Sequence, residues 1–485
     1  MARKWWTLAA VVAGVFMLVL DITIVNVALP DIGRDFHSSL PDLQWIIDAY
    51  ALVLAAGLLT AGSLADLWGR RRLYAAGTAL FTLGSLLCGL ATDPAFLVAA
   101  RVVQGLGGTV VYATSLALIS HAFRGAQPKE RGTAFGIYGA VLGIGAALGP
   151  VLGGFLTSGI GWRWIFFINI PVGVATIAVT LMKVDESRDP EDARLDWRGL
   201  VTFTGALGLL IYGLISSADG WGLPKVYGSL AGAGMLLAAF FVAETTERRP
   251  MLDLALFRKP TFTGGLLAAF GLNASIYSVF TYLVLYLEQE LGYSAAQTGV
   301  RFLALTAPMF VSSTMAGRLT HAVPARLMIG TGFVLVSAGI WLMYGVSAAS
   351  GWTHLLPGMI VAGAGIGMVT VPLASTAVGV VPVARAGMAS GINITSRQVG
   401  LATGIAVLGS VFTARLGVGR AGYAAALNDI LVIGACVALV SAVLSYALIR
   451  RRDFVPPVQP EPAPQDSAQD SGTVADALTT DLRRP

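Results

Sequence analysis

Apolar stretches of membrane-spanning length recur along the chain from its start to about residue 450, separated by short polar segments. They fall near 5–29, 44–65, 73–92, 95–118, 133–157, 163–182, 198–217, 226–244, 262–287, 297–317, 325–347, 354–378, 390–413 and 429–449. That is about fourteen spans at ~20 residues each. The pattern predicts an all-α integral membrane protein with an even number of crossings and both ends on one side. The first run follows Arg3 and Lys4. It is longer than the ~7–15 residues of a signal-peptide core, and no small-residue cleavage pattern closes it, so it reads as the first membrane helix.

Charge supports this alternation. Arg70–Arg72, Arg124, Lys129, Arg131, Lys183, Arg188, Arg194, Arg198, Arg248, Arg249, Arg258, Lys259, Arg318, Arg326, Arg385 and Arg450–Arg452 fall in every second loop or in the tail. The remaining loops hold mainly Arg34, Arg163 and Lys225, with Arg415 and Arg420 breaking the rule before the last run. Basic loops stay in the cytoplasm, so both termini are expected there, in an inner (plasma) membrane protein. The chain divides on this reading into a six-helix bundle (1–185), a linker with two extra helices (186–258), a second six-helix bundle (259–450) and a disordered tail (451–485) rich in Pro, Asp and Ser.

Composition agrees. Of 485 residues, 55% are hydrophobic and 12% charged, and the mean hydropathy is +0.74, more apolar surface than a soluble domain can hide. The net charge of +5 is explained by the loops, so no nucleic-acid partner is expected. Cys88 and Cys436 lie in distant apolar runs and read as buried thiols. The four histidines show no metal-ligand spacing, and no phosphate-binding Walker sequence is present. The glycines at 105–108 sit within an apolar run, so neither an enzyme nor a nucleotide-driven pump is indicated, and no cofactor is expected.

The chemistry lies in ionisable residues placed inside apolar runs, where each needs a partner or a function. Asp21 falls ~12–14 Å from the outer end of the first helix, at ~1.5 Å per residue. Arg101 falls ~9 Å from the outer end of the fourth, which runs the other way. The two are therefore candidate partners, with Asp21 as a proton carrier or as a permanently held structural carboxylate. Arg101 is either part of that relay or a fixed clamp. Asp48, at the start of the second run, is a second protonation site, a site for a cationic substrate, or a solvated interfacial carboxylate. Asn26, Tyr50 and Gln104 are weaker candidates for the wall of a substrate cavity. Gly145, Gly149 and Gly153 share one stripe of the fifth helix, which allows close helix approach, and Pro150 removes a backbone donor there.

Several of these stretches resemble the major facilitator superfamily. Gly62-Ser-Leu-Ala-Asp66-Leu-Trp-Gly69-Arg70-Arg71-Arg72 is similar to its loop between helices 2 and 3, with Leu67 where a basic residue is frequent. Ala316-Gly317-Arg318-Leu319 is a weak echo in the second half. Arg101-x-x-Gln104-Gly105-x-Gly107-Gly108 resembles the fourth-helix motif tied to proton transfer. Gly145-x-x-x-Gly149-Pro150-x-x-Gly153-Gly154 resembles the motif of the family's antiporters. With Leu20-Asp21-x-Thr23 through Pro30, Trp162-Arg163-Trp164, and Arg397-Gln398-Val399-Gly400, the chain looks like the fourteen-helix drug:proton antiporter branch.

The resemblance implies two six-helix bundles plus two linking helices, rocking around a central cavity. It implies export of small lipophilic or cationic drugs from the cytoplasm in exchange for protons, with the proton gradient as energy source. Asp21 and Arg101 would couple the proton, and Gly62, Asp66, Gly69, Arg70 and Arg71 would latch one face. Partners would be the substrate, protons and the lipid bilayer, and the chain would act as a monomer. Two alternatives stay open: a dedicated exporter of one endogenous metabolite or antibiotic, and a non-transporting sensor or scaffold.

Overall fold

Helix formation follows the apolar runs, and the ends are set by local chemistry. In a computed structural model the described residues are 2–38, 40–188, 196–217, 220–247, 252–320, 322–347, 349–381, 386–415 and 419–454. The first half consists of α1 (Arg3–Phe36), α2 (Leu40–Ala56), α3 (Leu58–Trp68), α4 (Arg70–Gly89), α5 (Pro94–Ala122), α6 (Pro128–Gly159), α7 (Trp164–Phe167) and α8 (Asn169–Lys183). Two further helices follow, α9 (Trp197–Ser216) and α10 (Pro224–Thr246). The second half holds α11 (Pro260–Leu272), α12 (Ser278–Leu285), α13 (Ala295–Leu319), α14 (Ala325–Leu342), α15 (Leu356–Gly379), α16 (Ala386–Arg415) and α17 (Gly419–Leu448). Asp93 caps α5 by accepting from the Phe96 amide at 2.9 Å, with Pro94 at the first helical position where its missing N–H costs nothing. Ser294 and Gln297 form a reciprocal capping box on α13.

Helix lies at each predicted place, and the departures have causes. The second run is two helices, α2 and α3, bent by 50° at Gly57. A Cβ there would stand 2.9 Å from the Thr109 methyl group, so the bend and close approach to α5 need glycine. The run from 260 to 290 carries π-helical turns at Asn273–Tyr277 and Tyr286–Glu290. Among the described residues, nine helices are long and apolar enough to cross a membrane, or ten with the bent pair as one. The count of about fourteen is thus not reproduced by that measure. Helices α13 and α16 are rich in Gly, Ser and Thr, and α4 opens on Arg70–Arg72, which lowers their hydropathy without stopping them from packing as helices.

The described helices belong to one unit, Met1–Phe454. Large apolar side chains such as Phe155, Met182, Met235, Val242 and Val443 point outward, as a lipid-facing surface requires. One buried cluster centres on α1, α5 and α6, including Val11, Leu18, Phe135 and Tyr138. Another fills the second half around Ile276, Phe333, Ile366 and Leu431. Helix α9 packs beside the first half, where Trp45 stacks on Tyr212 and Thr60 meets Thr204 at 2.8 Å. Helix α10 packs on α9 and is the least buried of the spans. The two extra helices therefore sit at the periphery.

The ends of the molecule are distinct. At the basic end, Arg3 pairs with Asp185, Lys4 with Glu130, and the Arg70 amide donates to the Ser187 carbonyl. Thr261 and Asp453 tie the start of α11 to the residues after α17 at this level. At the opposite end, Asp35 accepts from Arg163 at 2.8 Å and from Trp162 at 3.1 Å. Those hydrogen bonds hold its carboxyl below the usual carboxylate range. Residues 455–485, including nearly all of the expected tail, lie outside the described residues.

Candidate functional site

Asp21 is fully buried on α1, and every oxygen of its carboxylate is used. Oδ2 accepts from Arg101 Nη1 at 2.5 Å. Oδ1 accepts from Gln104 Nε2 at 2.8 Å and from Asn169 Nδ2 at 3.2 Å. Arg101 is equally enclosed, 1% exposed. Its Nε donates to the Ile46 carbonyl at 3.1 Å, Nη1 also reaches Gln104 Oε1 at 2.6 Å, and its guanidinium lies 4.1 Å above the Tyr50 ring. Ser85 closes the network, accepting from Gln104 at 2.7 Å and Asn169 at 3.3 Å. A buried ion pair of this kind is weak evidence for stability but holds a unique arrangement, and loss of one member strands the other.

The network joins α1, α2, α4, α5 and α8 within the first half. It brings together Asp21, Arg101, Gln104 and Tyr50 from among the residues singled out above. Ser85 and Asn169 were not singled out. Asn169 had a signal, as a polar residue inside Trp162–Gly173, whereas Ser85 is one of many serines in apolar runs. Asp48 is half-buried on α2 and stands outside the network; among the described residues nothing hydrogen-bonds to it. The side chain of Asn26 lies outside the described residues.

The second constellation lies at the basic end. Asp66, 8% exposed, accepts from Arg70 Nε at 2.9 Å and Nη2 at 2.7 Å through Oδ1. Its Oδ2 accepts from the Met388 amide at 3.0 Å, in the first turn of α16. A carboxylate in contact with a helix N-terminus meets both free N–H groups and the positive end of the helix dipole. This contact crosses from the first half to the second. Gly69, between α3 and α4, has φ +102°, and a Cβ there would lie 2.7 Å from the Glu186 carboxylate. Glu186 accepts from the Arg71 amide at 3.0 Å and the Arg72 amide at 3.3 Å, capping α4 from the segment after α8. Gly62 is buried one turn before Asp66.

The glycines of α6 have two addresses. Gly145, Gly149 and Gly153 face α1. A Cβ on Gly145 would lie 3.1 Å from Val19, one on Gly149 would overlap the Thr23 side chain, and one on Gly153 would lie 3.1 Å from the Ile24 carbonyl. Thr23 Oγ1 also donates to the Gly145 carbonyl at 3.4 Å. The stripe therefore presses on the segment of α1 that carries Asp21. Nearer the basic end, Gly132, Gly136, Gly139 and Gly143 face the second half. Gly132 meets Gly317 of α13 backbone to backbone, Gly139 meets Thr370 and Val371 of α15, and Gly143 meets Met309 of α13. Gly154 is half-buried. The side chain of Pro150 lies outside the described residues, while α6 continues through that position.

A two-bundle helical membrane protein, with a sealed ion pair inside one bundle and a charge contact between bundles at one end, is a transporter fold. The chain belongs to the Major Facilitator Superfamily, whose profile matches residues 11–405. It is similar to the multidrug resistance protein Stp of Mycobacterium tuberculosis, 39% identical over 411 residues, covering 84% of this chain and 76% of that one. The puromycin resistance protein pur8 of Streptomyces alboniger is 36% identical over 465 residues, covering 93% and 92% of the two chains. The tetracenomycin C resistance and export protein of Streptomyces glaucescens is 35% identical over 417 residues, covering 86% and 77%. Among solved structures, the proton:xylose symporter XylE shares the fold with a TM-score of 0.66 at 14% identity, covering 92% of this chain and 96% of that one. The family consists of transporters, not enzymes, and the match fits a chain built around intramembrane charges and close helix contacts.

Proposed function

We propose that this protein is a proton-coupled exporter that moves small, largely apolar drug-like molecules from the cytoplasm to the outside by alternating access. The observation that carries the reading is the Asp21–Arg101 pair, two fully buried charges whose balance changes when one proton is added. Three relatives at 35–39% identity are named for resistance to drugs or antibiotics, which favours export. The basic end is taken as cytoplasmic because Lys and Arg concentrate there. That orientation puts both described ends of the transport unit in the cytoplasm and the protein in the plasma membrane, acting as a monomer.

Entry of a proton from the outside neutralises Asp21 and releases Arg101 from its carboxylate. The pair, on α1 and α5, is joined to three other helices, so its loosening biases the position of α1 against the α6 glycine stripe. One access state is thereby favoured, and loss of the proton to the cytoplasm resets it. Asp66, Arg70 and the N-terminus of α16 act as a latch that keeps the cytoplasmic end closed. Asp66→Ala is expected to weaken that closure. Charge-assisted hydrogen bonds of ~1.5–3 kcal/mol correspond to a shift of about 10- to 100-fold in the closed-to-open ratio. A cysteine placed at the buried Ala389 would then react faster with a membrane-impermeant maleimide in inverted vesicles; unchanged labelling would remove the latch role.

A dedicated exporter of one self-made compound is the second reading, favoured by the relative named for tetracenomycin C export. The deciding experiment uses inverted vesicles or proteoliposomes with an imposed pH gradient reported by a fluorescent dye. Ethidium, puromycin and aromatic acids are added in turn. Exchange predicts that at least one collapses the gradient in a protein-dependent manner. A panel with no response beyond protein-free vesicles would overturn the reading.

A further inference from the structure

Arg70, Arg101 and Arg397 are buried to 2%, 1% and 6% exposure. Arg70 has Asp66 and Arg101 has Asp21. Arg397, on α16, differs: its Nε and Nη2 are buried without a hydrogen-bond partner, and among the described residues no carboxylate pairs with it. Its surroundings are phenols. Tyr112 of α5 lies within hydrogen-bond reach, and Tyr138 of α6 and Tyr277 of the π-helical turn lie close enough to feel its charge. These come from both halves of the molecule, so Arg397 stands at the seam between the bundles. The neighbouring cluster of Leu58, Ala61, Ala113 and Ile394 marks the same seam.

Depth agrees. Arg397 is eleven residues into α16, Tyr112 ten residues before the end of α5, and Tyr138 ten residues into α6. At ~1.5 Å per residue each lies about 15 Å from the basic end, the middle of a bilayer core ~30 Å thick. One turn nearer that end, both amide atoms of Asn393 are also buried without a partner. A guanidinium at mid-membrane without a carboxylate is costly, and the missing charge is what an anionic ligand supplies. Its planar fork matches a carboxylate with two parallel hydrogen bonds, and the tyrosine rings offer stacking faces.

We propose that Arg397 is the anion-recognition group of the transport path, and that the preferred substrates carry a carboxylate or ionised phenol on an aromatic frame. This rests on the exporter reading and narrows it, away from lipophilic cations. The Asp21–Arg101 pair is satisfied internally and lies elsewhere, so recognition and proton coupling use separate arginines.

The test is equilibrium binding of anthraquinone-2-carboxylate and its neutral carboxamide to the purified full-length protein. Wild type is expected to bind the acid about tenfold more tightly than the amide, the scale of a charge-assisted pair. Arg397→Gln is expected to bring the two within about twofold, and Arg397→Lys to keep part of the preference without the bidentate fork. Equal binding of acid and amide by wild type overturns the proposal, and that comparison needs no variant to fold. So does a full acid preference in folded Arg397→Gln protein. Binding requires no gradient, so failure here is distinct from failure of the exporter reading. The latter shows in vesicles as no wild-type gradient response to any probe of any charge.

Discussion

Asp21→Asn is expected to reduce gradient-driven transport to the level of protein-free vesicles while the protein stays folded. Asparagine keeps the volume and one acceptor, so Gln104 and Asn169 retain their bonds to position 21. It cannot exchange a proton, so the cycle loses its driving step. Arg101 loses its counter-charge but keeps the Ile46 carbonyl, Gln104 Oε1 and the Tyr50 face. The cost is therefore expected below the ~3–5 kcal/mol typical of stranding a buried charge. The double change Asp21→Asn with Arg101→Gln removes both charges and should recover stability without recovering transport. Stability and coupling then separate in one mutant cycle. Full gradient-driven transport by Asp21→Asn would end the proton role of Asp21 and leave it a structural carboxylate.

Gly132→Val is expected to hold the basic end open. Gly132 and Gly317 are in backbone contact between α6 and α13, with the Thr320 hydroxyl 2.7 Å from where a Cβ would stand. Backbone cannot swing aside as a side chain can, so the two helices must separate. Overpacking typically costs ~1–3 kcal/mol, and here that cost falls only on the state in which this end is closed. The closed population should fall about 5- to 150-fold relative to the open one. Cysteine accessibility at the basic end would rise and net transport would fall, while the open state keeps its stability. Normal transport and unchanged accessibility would show that this contact does not gate the basic end.

Much of the fold was legible because the signals are strong and local. Long apolar runs with basic loops leave few alternatives to a helical membrane protein. Depth counting from helix ends suggested Asp21 and Arg101 as partners, and they are in contact. What was not legible depends on distant pairing. Met388 contributes a backbone amide, which no side-chain motif announces, to a carboxylate 322 positions away. Ser85 looks like any small residue in a membrane helix, and only the fold directs it to Gln104 and Asn169. Glu186 reaches α4 from a loop. Arg397 had a visible signal, an ionisable residue inside an apolar run, yet its isolation from carboxylates emerges only once the neighbours of α16 are known. The bend at Gly57 is likewise decided by Thr109 on another helix.

Helix α6 is a wall shared by two rooms. One stretch of its glycines rests on α1 beside Asp21, and another rests on α13 and α15 of the opposite bundle. The charged network is enclosed on the first side, and the unpaired guanidinium lies at the seam on the other. On the exporter reading, proton and cargo then never compete for the same atoms. Raising the proton concentration would alter the maximal transport rate through the shared wall, and cargo would shift the proton's affinity by the same reciprocal route without occupying its site. In kinetic terms the two ligands would be non-competitive, their influence on each other passing only through helix movement.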